Sequence, residues 1–207
     1  MTTTYPVQFD VAFPARPLDR LTTGLRLLAA IPILILGAGL VSSYTFNGGD
    51  QATTTTIASP VGLLFLPLVL MLLFRGKYPR WWFGWNINLL RFSNRVMAYL
   101  ALLDDRYPST DEDQSVHLDF AYPDGRQLNR WLPLVKWLLA IPHYVVLFFL
   151  GLRALVSIVI AWFAILLTGR YPRALFGFVV GVLRWWNRVT AYAFVLVTDQ
   201  YPPFSLR

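Results

Sequence analysis

One phrase recurs in this chain of 207 residues and limits what it can fold into. FRGKYPRWWFGW (Phe74 to Trp85) returns as LTGRYPRALFGF (Leu167 to Phe178), with Gly76 pairing with Gly169 at an offset of 93 residues. On that offset LLRFSNRVMAY (Leu89 to Tyr99) pairs with VLRWWNRVTAY (Val182 to Tyr192). Upstream, VQFDVAFP (Val7 to Pro14) matches VHLDFAYP (Val116 to Pro123), and LDRLTTGLRLLAAIP (Leu18 to Pro32) matches LNRWLPLVKWLLAIP (Leu128 to Pro142) at an offset of 110. LLDDRYP (Leu102 to Pro108) is answered by LVTDQYP (Leu196 to Pro202), where the second copy has gained one residue. Self-similarity of this kind means that one structural unit is used twice. The offsets differ by 17 residues, the length of SSYTFNGGDQATTTTIA (Ser42 to Ala58), a polar stretch without a counterpart. The chain therefore reads as a tandem duplication: a first repeat over 1–108 with a polar insertion at 42–58, an acidic linker at 109–114, and a second repeat over 115–207.

Each half follows one plan. Val7, Phe9, Val11 and Phe13, like Val116, Leu118 and Phe120, alternate with a period of two, which reads as a half-buried strand. Neither strand is stable alone, so the two are expected to pair with each other or with the Tyr-Pro tails. Two apolar runs follow in each half, Leu21–Val41 and Ile57–Phe74, then Trp131–Leu150 and Leu152–Thr168. A third helical segment closes each half, Trp81–Leu103 and Ala174–Val197. There Trp85, Leu89, Phe92 and Val96 recur at helical spacing against Asn88, Arg91 and Arg95, and the second copy sets Phe178, Val182, Trp185 and Val189 against Arg184, Asn187 and Arg188. That is the pattern of an amphipathic helix lying in a membrane interface.

Composition bears on where the apolar runs go. The chain is 56% hydrophobic and only 14% charged, where a soluble domain carries about a quarter of its residues as charges. Part of its surface is therefore expected to meet lipid. The runs lie near the lower length limit for a spanning helix. The insertion, with Asn-Gly-Gly-Asp-Gln and four threonines, could not be left in hydrocarbon, so the first pair is expected to cross, and the second pair with it, turning at Gly151. Arg153 would be the one cation on the far side, and the excess of Lys and Arg on the near side makes that side cytoplasmic. The expected fold class is mainly α and integral to the membrane: a tandem duplication in which each half is a short strand, a two-helix transmembrane hairpin and an amphipathic interfacial helix. Both termini would be cytoplasmic, in a multi-pass protein of the bacterial inner membrane. The charge of +7 sits beside lipophilic segments, which favours a membrane surface over nucleic acid.

The candidate residues fall into groups. Arg75, Lys77, Arg80, Arg91, Arg95, Arg170, Arg173, Arg184 and Arg188 could contact anionic headgroups, and the pairs Arg91/Arg95 and Arg184/Arg188 each place two guanidinium forks on one helical face. Against that stands a plain solvated face, or pairing with Asp104, Asp105 or Asp199. Trp81, Trp82, Trp85, Trp185, Trp186, Tyr78 and Tyr171 are expected as interfacial anchors. Arg26, Lys136 and His143 are intramembrane polar residues. The two cations are expected to snorkel to phosphates, and the histidine to be packed or hydrogen-bonded. Asp19 and Asn129 are candidate helix caps, and Pro32 and Pro142 are expected to break the first helix of each half. With no cysteine, no phosphate loop and no nucleophile elbow, no catalytic residue, metal site or cofactor is assigned.

The phrases AIPH, TGRYPR, RVTAY and TDQYPP, from Ala140 to Pro203, resemble a bacterial family known as domain of unknown function 4389. The resemblance covers about Leu128 to Leu206, with the first half as a diverged copy carrying the insertion. It implies a multi-pass bacterial membrane protein and no particular chemistry. The expected role is therefore non-enzymatic: an accessory or scaffold subunit that assembles with itself or with a larger membrane complex. The alternatives are a protein that binds or translocates lipid through paired arginines, and an ion or solute pathway between the repeats.

Overall fold

A computed structural model describes residues 5–41, 44–47, 54–57, 60–75, 78–110, 112, 114–123 and 128–207. The elements in order are β1 (Val7–Val11), α1 (Arg20–Val41), β2 (Tyr44–Asn47), β3 (Thr54–Ile57), α2 (Pro60–Arg75), α3 (Arg80–Leu100), β4 (Val116–Phe120), α4 (Leu132–Leu139), α5 (Ile141–Thr168) and α6 (Arg173–Thr190), which continues as a π-helical turn, Ala191–Val195.

Alternation decides the sheet. β1 and β4 pair antiparallel, with Val7 opposite Phe120 and Val11 opposite Val116. Val7, Phe9, Val11, Val116, Leu118 and Phe120 are buried, while the residues between them are exposed. The buried face lies on α3 and α6, whose apolar sides form the centre of the core. On the other side of these two helices lie α1 and α5. The buried positions of α5 (His143, Leu147, Ala154, Ser157, Ala161, Ile165) run as one stripe along its whole length. Its other faces expose Val145, Phe148, Phe149, Leu152, Val156, Ile160 and Phe163. α1 likewise buries Thr23, Arg26, Ala30 and Ile33 and exposes Leu21, Leu25, Leu28, Ile31 and Ile35. The two meet where α1 begins and α5 ends, with Trp162 Nε1 donating to the Thr23 carbonyl at 3.2 Å. The molecule is thus layered: polar sheet, amphipathic pair, apolar pair.

Helix ends follow local chemistry. Asp19 caps α1, its Oδ1 accepting the Leu21 N–H at 2.9 Å. Gly169 ends α5 in the left-handed region, φ 72°, with its N–H on the Ile165 carbonyl at 2.7 Å. α3 ends in a Schellman turn: Leu103 N–H reaches the Ala98 carbonyl and Leu102, at φ 64°, takes the left-handed position. Leu196, φ 60°, does the same after α6. Ahead of Leu196 the π-helical turn, Ala191–Val195, widens the backbone by one residue per turn, which accounts for the one-residue difference in spacing between LLDDRYP and LVTDQYP.

Several expectations are corrected here. The reading as a repeat of transmembrane hairpins does not hold. Among the described residues one stretch, Leu132–Thr168, is long and apolar enough to cross a membrane. No turn occurs at Gly151: α5 passes straight through it, because its immediate neighbours are apolar and supply no breaker, and the Arg153 guanidinium two residues on lies 4.7 Å over the Phe178 ring of α6. Pro32 lies inside an unbroken α1, whereas Pro142 stands in the first turn of α5, after the break at Ala140. The insertion forms an antiparallel ribbon in which β2 pairs with β3, while the rest of 42–58 falls outside the described residues. The third helical segments are not free interfacial helices, since α3 and α6 lie between two other layers.

Candidate functional site

The most ordered polar chemistry is a pair of cation cradles, one in each half. Arg26 is 2% exposed and forms an ion pair with Asp105. Its Nη1 also donates to the Tyr99 carbonyl at 2.9 Å and the Asp104 carbonyl at 3.0 Å, and its guanidinium sits 4.7 Å from the Tyr99 ring. Lys136 is fully buried. Its Nζ lies 2.7 Å from Asp199 Oδ1 and donates to the Thr198 carbonyl at 2.7 Å, with the Tyr192 ring 5.2 Å away. The acids are shared with the helix starts: Asp19 N–H donates to Asp105 Oδ2 at 3.0 Å, and Asn129 N–H to Asp199 Oδ2 at 2.7 Å. Each cradle therefore ties the start of an apolar helix to the end of an amphipathic one.

Two strand clamps cross between the halves. Arg91 on α3 donates from Nε to the Leu118 carbonyl of β4 at 2.9 Å and from Nη2 to Asp119 at 2.5 Å. Arg184 on α6 does the same to β1, with Phe9 O at 2.8 Å and Asp10 Oδ1 at 3.0 Å. Where α3 and α6 meet, Asn94 and Asn187 form a reciprocal amide pair, with N···O distances of 2.8 and 2.7 Å. Each Nδ2 also donates to its own helix, at Leu90 O and Leu183 O. Arg95 reaches the Ser109 carbonyl, and Arg188 holds the C-terminal tail through the carbonyls of Ser205 and Arg207. Burial and the neighbouring Arg184 charge push the Arg188 guanidinium below its usual range.

The candidates thus separate. Arg26 and Lys136 do not snorkel: each has an acid within reach, and pairing inside the protein replaces contact with phosphate. Of the nominated headgroup residues, Arg91, Arg95, Arg184 and Arg188 are engaged on protein atoms. Arg75, Arg80, Arg170 and Arg173 are exposed, and Lys77 lies outside the described residues. The expected interfacial anchors divide in the same way. Trp81, Trp85 and Trp186 are exposed, whereas Trp82, Trp185, Tyr78 and Tyr171 are buried. The Tyr78 hydroxyl donates to the Val195 carbonyl at 2.6 Å, and burial raises the pKa of both phenols. Trp185 Nε1 donates to His143 Nδ1 at 3.1 Å, which leaves the proton of the neutral ring on Nε2, a buried atom without a partner among the described residues. Phe204 stacks on that imidazole at 4.0 Å. Among the described residues no three His, Cys, Asp or Glu side chains gather as metal ligands. A groove of about 480 Å³ between α3, α5 and α6 is lined mainly by apolar side chains such as Leu90, Leu147, Leu155, Val182 and Trp186.

The cradle of Lys136, the His143 stack and the clamp of Arg184 belong to one stretch of chain. Residues 131–205 match the family described as Domain of unknown function (DUF4389). The match takes in α4, α5, α6 and most of the tail, and it is one match, over the second half, with no separate one over the first. No curated protein and no solved structure matches the chain.

Proposed function

We propose that the chain is a non-enzymatic bacterial membrane protein, seated in the cytoplasmic leaflet of the inner membrane as an accessory or scaffold subunit that assembles with itself or with a larger membrane complex. One observation carries this: α1 and α5 present an apolar layer to the outside, on the side of α3 and α6 away from the polar sheet. Only 22% of the most apolar window of Leu132–Thr168 is buried.

The same layering speaks for a helix lying in the membrane plane. α5 is 28 residues, about 42 Å at 1.5 Å per residue, enough to cross a core of about 30 Å. But β1 runs beside α6, with Phe13 at Phe176, Asp10 at Arg184 and Tyr5 at Arg188, and α5 runs antiparallel along α6, with Arg153 over Phe178 and His143 at Trp185. Standing α5 upright would carry Gln8, Asp10, His117 and Asp119, all exposed, through hydrocarbon. A lone charge at that depth costs about 2.5–3.5 kcal/mol, and the carboxylates of Asp10 and Asp119, though paired with Arg184 and Arg91, are largely exposed and would lose their water. Lying flat, the apolar layer enters one leaflet while the sheet stays in water.

The internal use of Arg26, Lys136, Arg91 and Arg184 supports a rigid platform, as a scaffold requires. The equivalence of both cradles and both clamps supports the reading of the first half as a diverged copy of the matched unit. The direct test is flotation with liposomes, followed by native mass spectrometry from mild detergent. The protein should float, and Leu152→Asp with Val156→Asp should release it without unfolding. A wild type that stays in the aqueous fraction would remove the membrane seat, and a lone chain in mild detergent would remove self-assembly. A second reading, headgroup binding, draws support from Arg170 and Arg173, which are exposed beside the turn where α1 and α5 meet. Asn94 and Asn187 close the contact between the halves, which gives an ion pathway there no support.

A further inference from the structure

The turn after α5 lines a cationic pocket that none of the preceding contacts uses. It measures about 380 Å³ and lies between the segment joining β1 to α1, which supplies Phe13 and Arg16, and the turn of Gly169, Arg170, Tyr171 and Arg173. Its lining holds three arginines and no carboxylate. The spacing of the two segments is fixed by the Leu18 N–H, which donates to the Gly169 carbonyl at 2.9 Å. Arg173 lies 5.4 Å over the Phe13 ring, which steers its guanidinium and leaves its N–H groups without an acceptor among the described residues. Tyr171 is 3% exposed and its hydroxyl has no hydrogen-bond partner among the described residues. α6 starts there, capped by Pro172 without a side-chain acceptor, so the N–H groups of its first turn have no intrahelical partner.

Three arginines in the lining of one pocket, one of them the first residue of α6, suit one ligand chemistry, a phosphate group with several oxygens to share among fork-shaped donors. We propose that Arg16, Arg170 and Arg173 form a binding site for a phosphate mono- or diester. This deepens the headgroup reading and rests on the membrane seat only for the source of the phosphate, which would then be an anionic phospholipid at the edge of the apolar layer. The sequence repeats the arrangement. At the equivalent positions of the other half stand Arg126, Lys77 and Arg80, and Arg80 lies over Tyr122 at 5.5 Å as Arg173 does over Phe13. Arg126 and Lys77 fall outside the described residues.

The test uses the full chain in nanodiscs of phosphatidylcholine, with or without a small fraction of phosphatidic acid, and the triple variant Arg16→Gln/Arg170→Gln/Arg173→Gln. These side chains are exposed, so folding should survive, and circular dichroism with flotation checks it. The wild type should retain phosphatidic acid through detergent extraction, with an affinity about tenfold or more above that of the variant. Inorganic phosphate is titrated in parallel. If it competes at micromolar concentration, the site stands and its ligand is a soluble phosphate; if only the lipid binds, the source is a headgroup. Equal retention of phosphatidic acid by the wild type and a folded variant, with no binding of inorganic phosphate, would overturn the site. Failure to float would instead strike the membrane seat, leaving phosphate binding in detergent as a separate result.

Discussion

Replacing Asn94 or Asn187 tests how the two halves are locked together. Each amide gives one N–H to the carbonyl four residues earlier in its own helix and exchanges two bonds with its partner, all between 2.7 and 2.9 Å. Asn187→Ala removes the exchange and strands Asn94 Oδ1 and one N–H at a site where Asn94 is only 6% exposed. An unmet buried donor or acceptor costs about 1–3 kcal/mol, so two of them plus the lost packing should cost about 3–5 kcal/mol. Asn94→Ala should cost a similar amount. The double replacement strands nothing, so its cost should barely exceed that of either single change. The coupling in a double-mutant cycle should then be at least about 2 kcal/mol. Equilibrium unfolding in a mild detergent, titrated with a denaturing one and followed by tryptophan fluorescence, gives the four stabilities. Additive costs would refute the reciprocal pair.

Other outcomes follow from the same contacts. Lys136→Met leaves Asp199 beside apolar surface with its cation gone and should cost about 3 kcal/mol or more, while the joint change with Asp199→Leu should recover much of that, both read in the same unfolding assay. Tyr5, Tyr78 and Tyr171 have pKa values raised mainly by burial. Above about pH 10 the unfolded chain loses phenolic protons that the native chain keeps, so the contribution of these three groups to stability should be constant below that pH and fall above it. A spectrophotometric titration should show these three ionising only as the protein unfolds. Gly177→Ala meets open space at an exposed position of α6 and should stabilise by about 0.5–1 kcal/mol. Gly181→Ala would set its Cβ 2.9 Å from the Leu206 carbonyl oxygen, so it should lower the melting temperature and free the tail to carboxypeptidase.

The sequence and the structure agree where a pattern is local. The alternation from Val7 to Val11 and from Val116 to Phe120 sufficed to place two strands, but it left open whether they pair with each other or with the Tyr-Pro tails, which the register of Val7 on Phe120 decides. The amphipathic stripe of α3 and α6 was legible too, but its partner was not. The period says which side is apolar and is silent on whether lipid or protein covers it, so Trp82 and Trp185 read as anchors although they pack in the core. Gly151 misled because a glycine in an apolar run breaks a helix only when something polar nearby competes for the backbone. The cradles could have been found: Arg26 and Lys136 stand at matching positions of two similar stretches of sequence, as do Asp105 and Asp199, and a buried cation matched in this way to a carboxylate is better explained by pairing than by snorkelling. The cationic pocket was half legible, with Arg170 and Arg173 in the repeated phrase, while Arg16 joins them only through the fold.

The most direct measurement concerns the tilt of α5. The chain has no cysteine, so single cysteines at the exposed positions Val145, Leu152, Val156, Phe163 and Leu167 can each carry a spin label. Depth in a bilayer then follows from the relative accessibility to oxygen and to a polar nickel chelate. A helix lying in the plane gives a nearly constant, shallow depth from Val145 to Leu167, modulated only by the helical period. A profile that deepens to a maximum near Leu152–Val156 and returns to the surface at both ends would mean that α5 crosses, and the layered seat would be wrong.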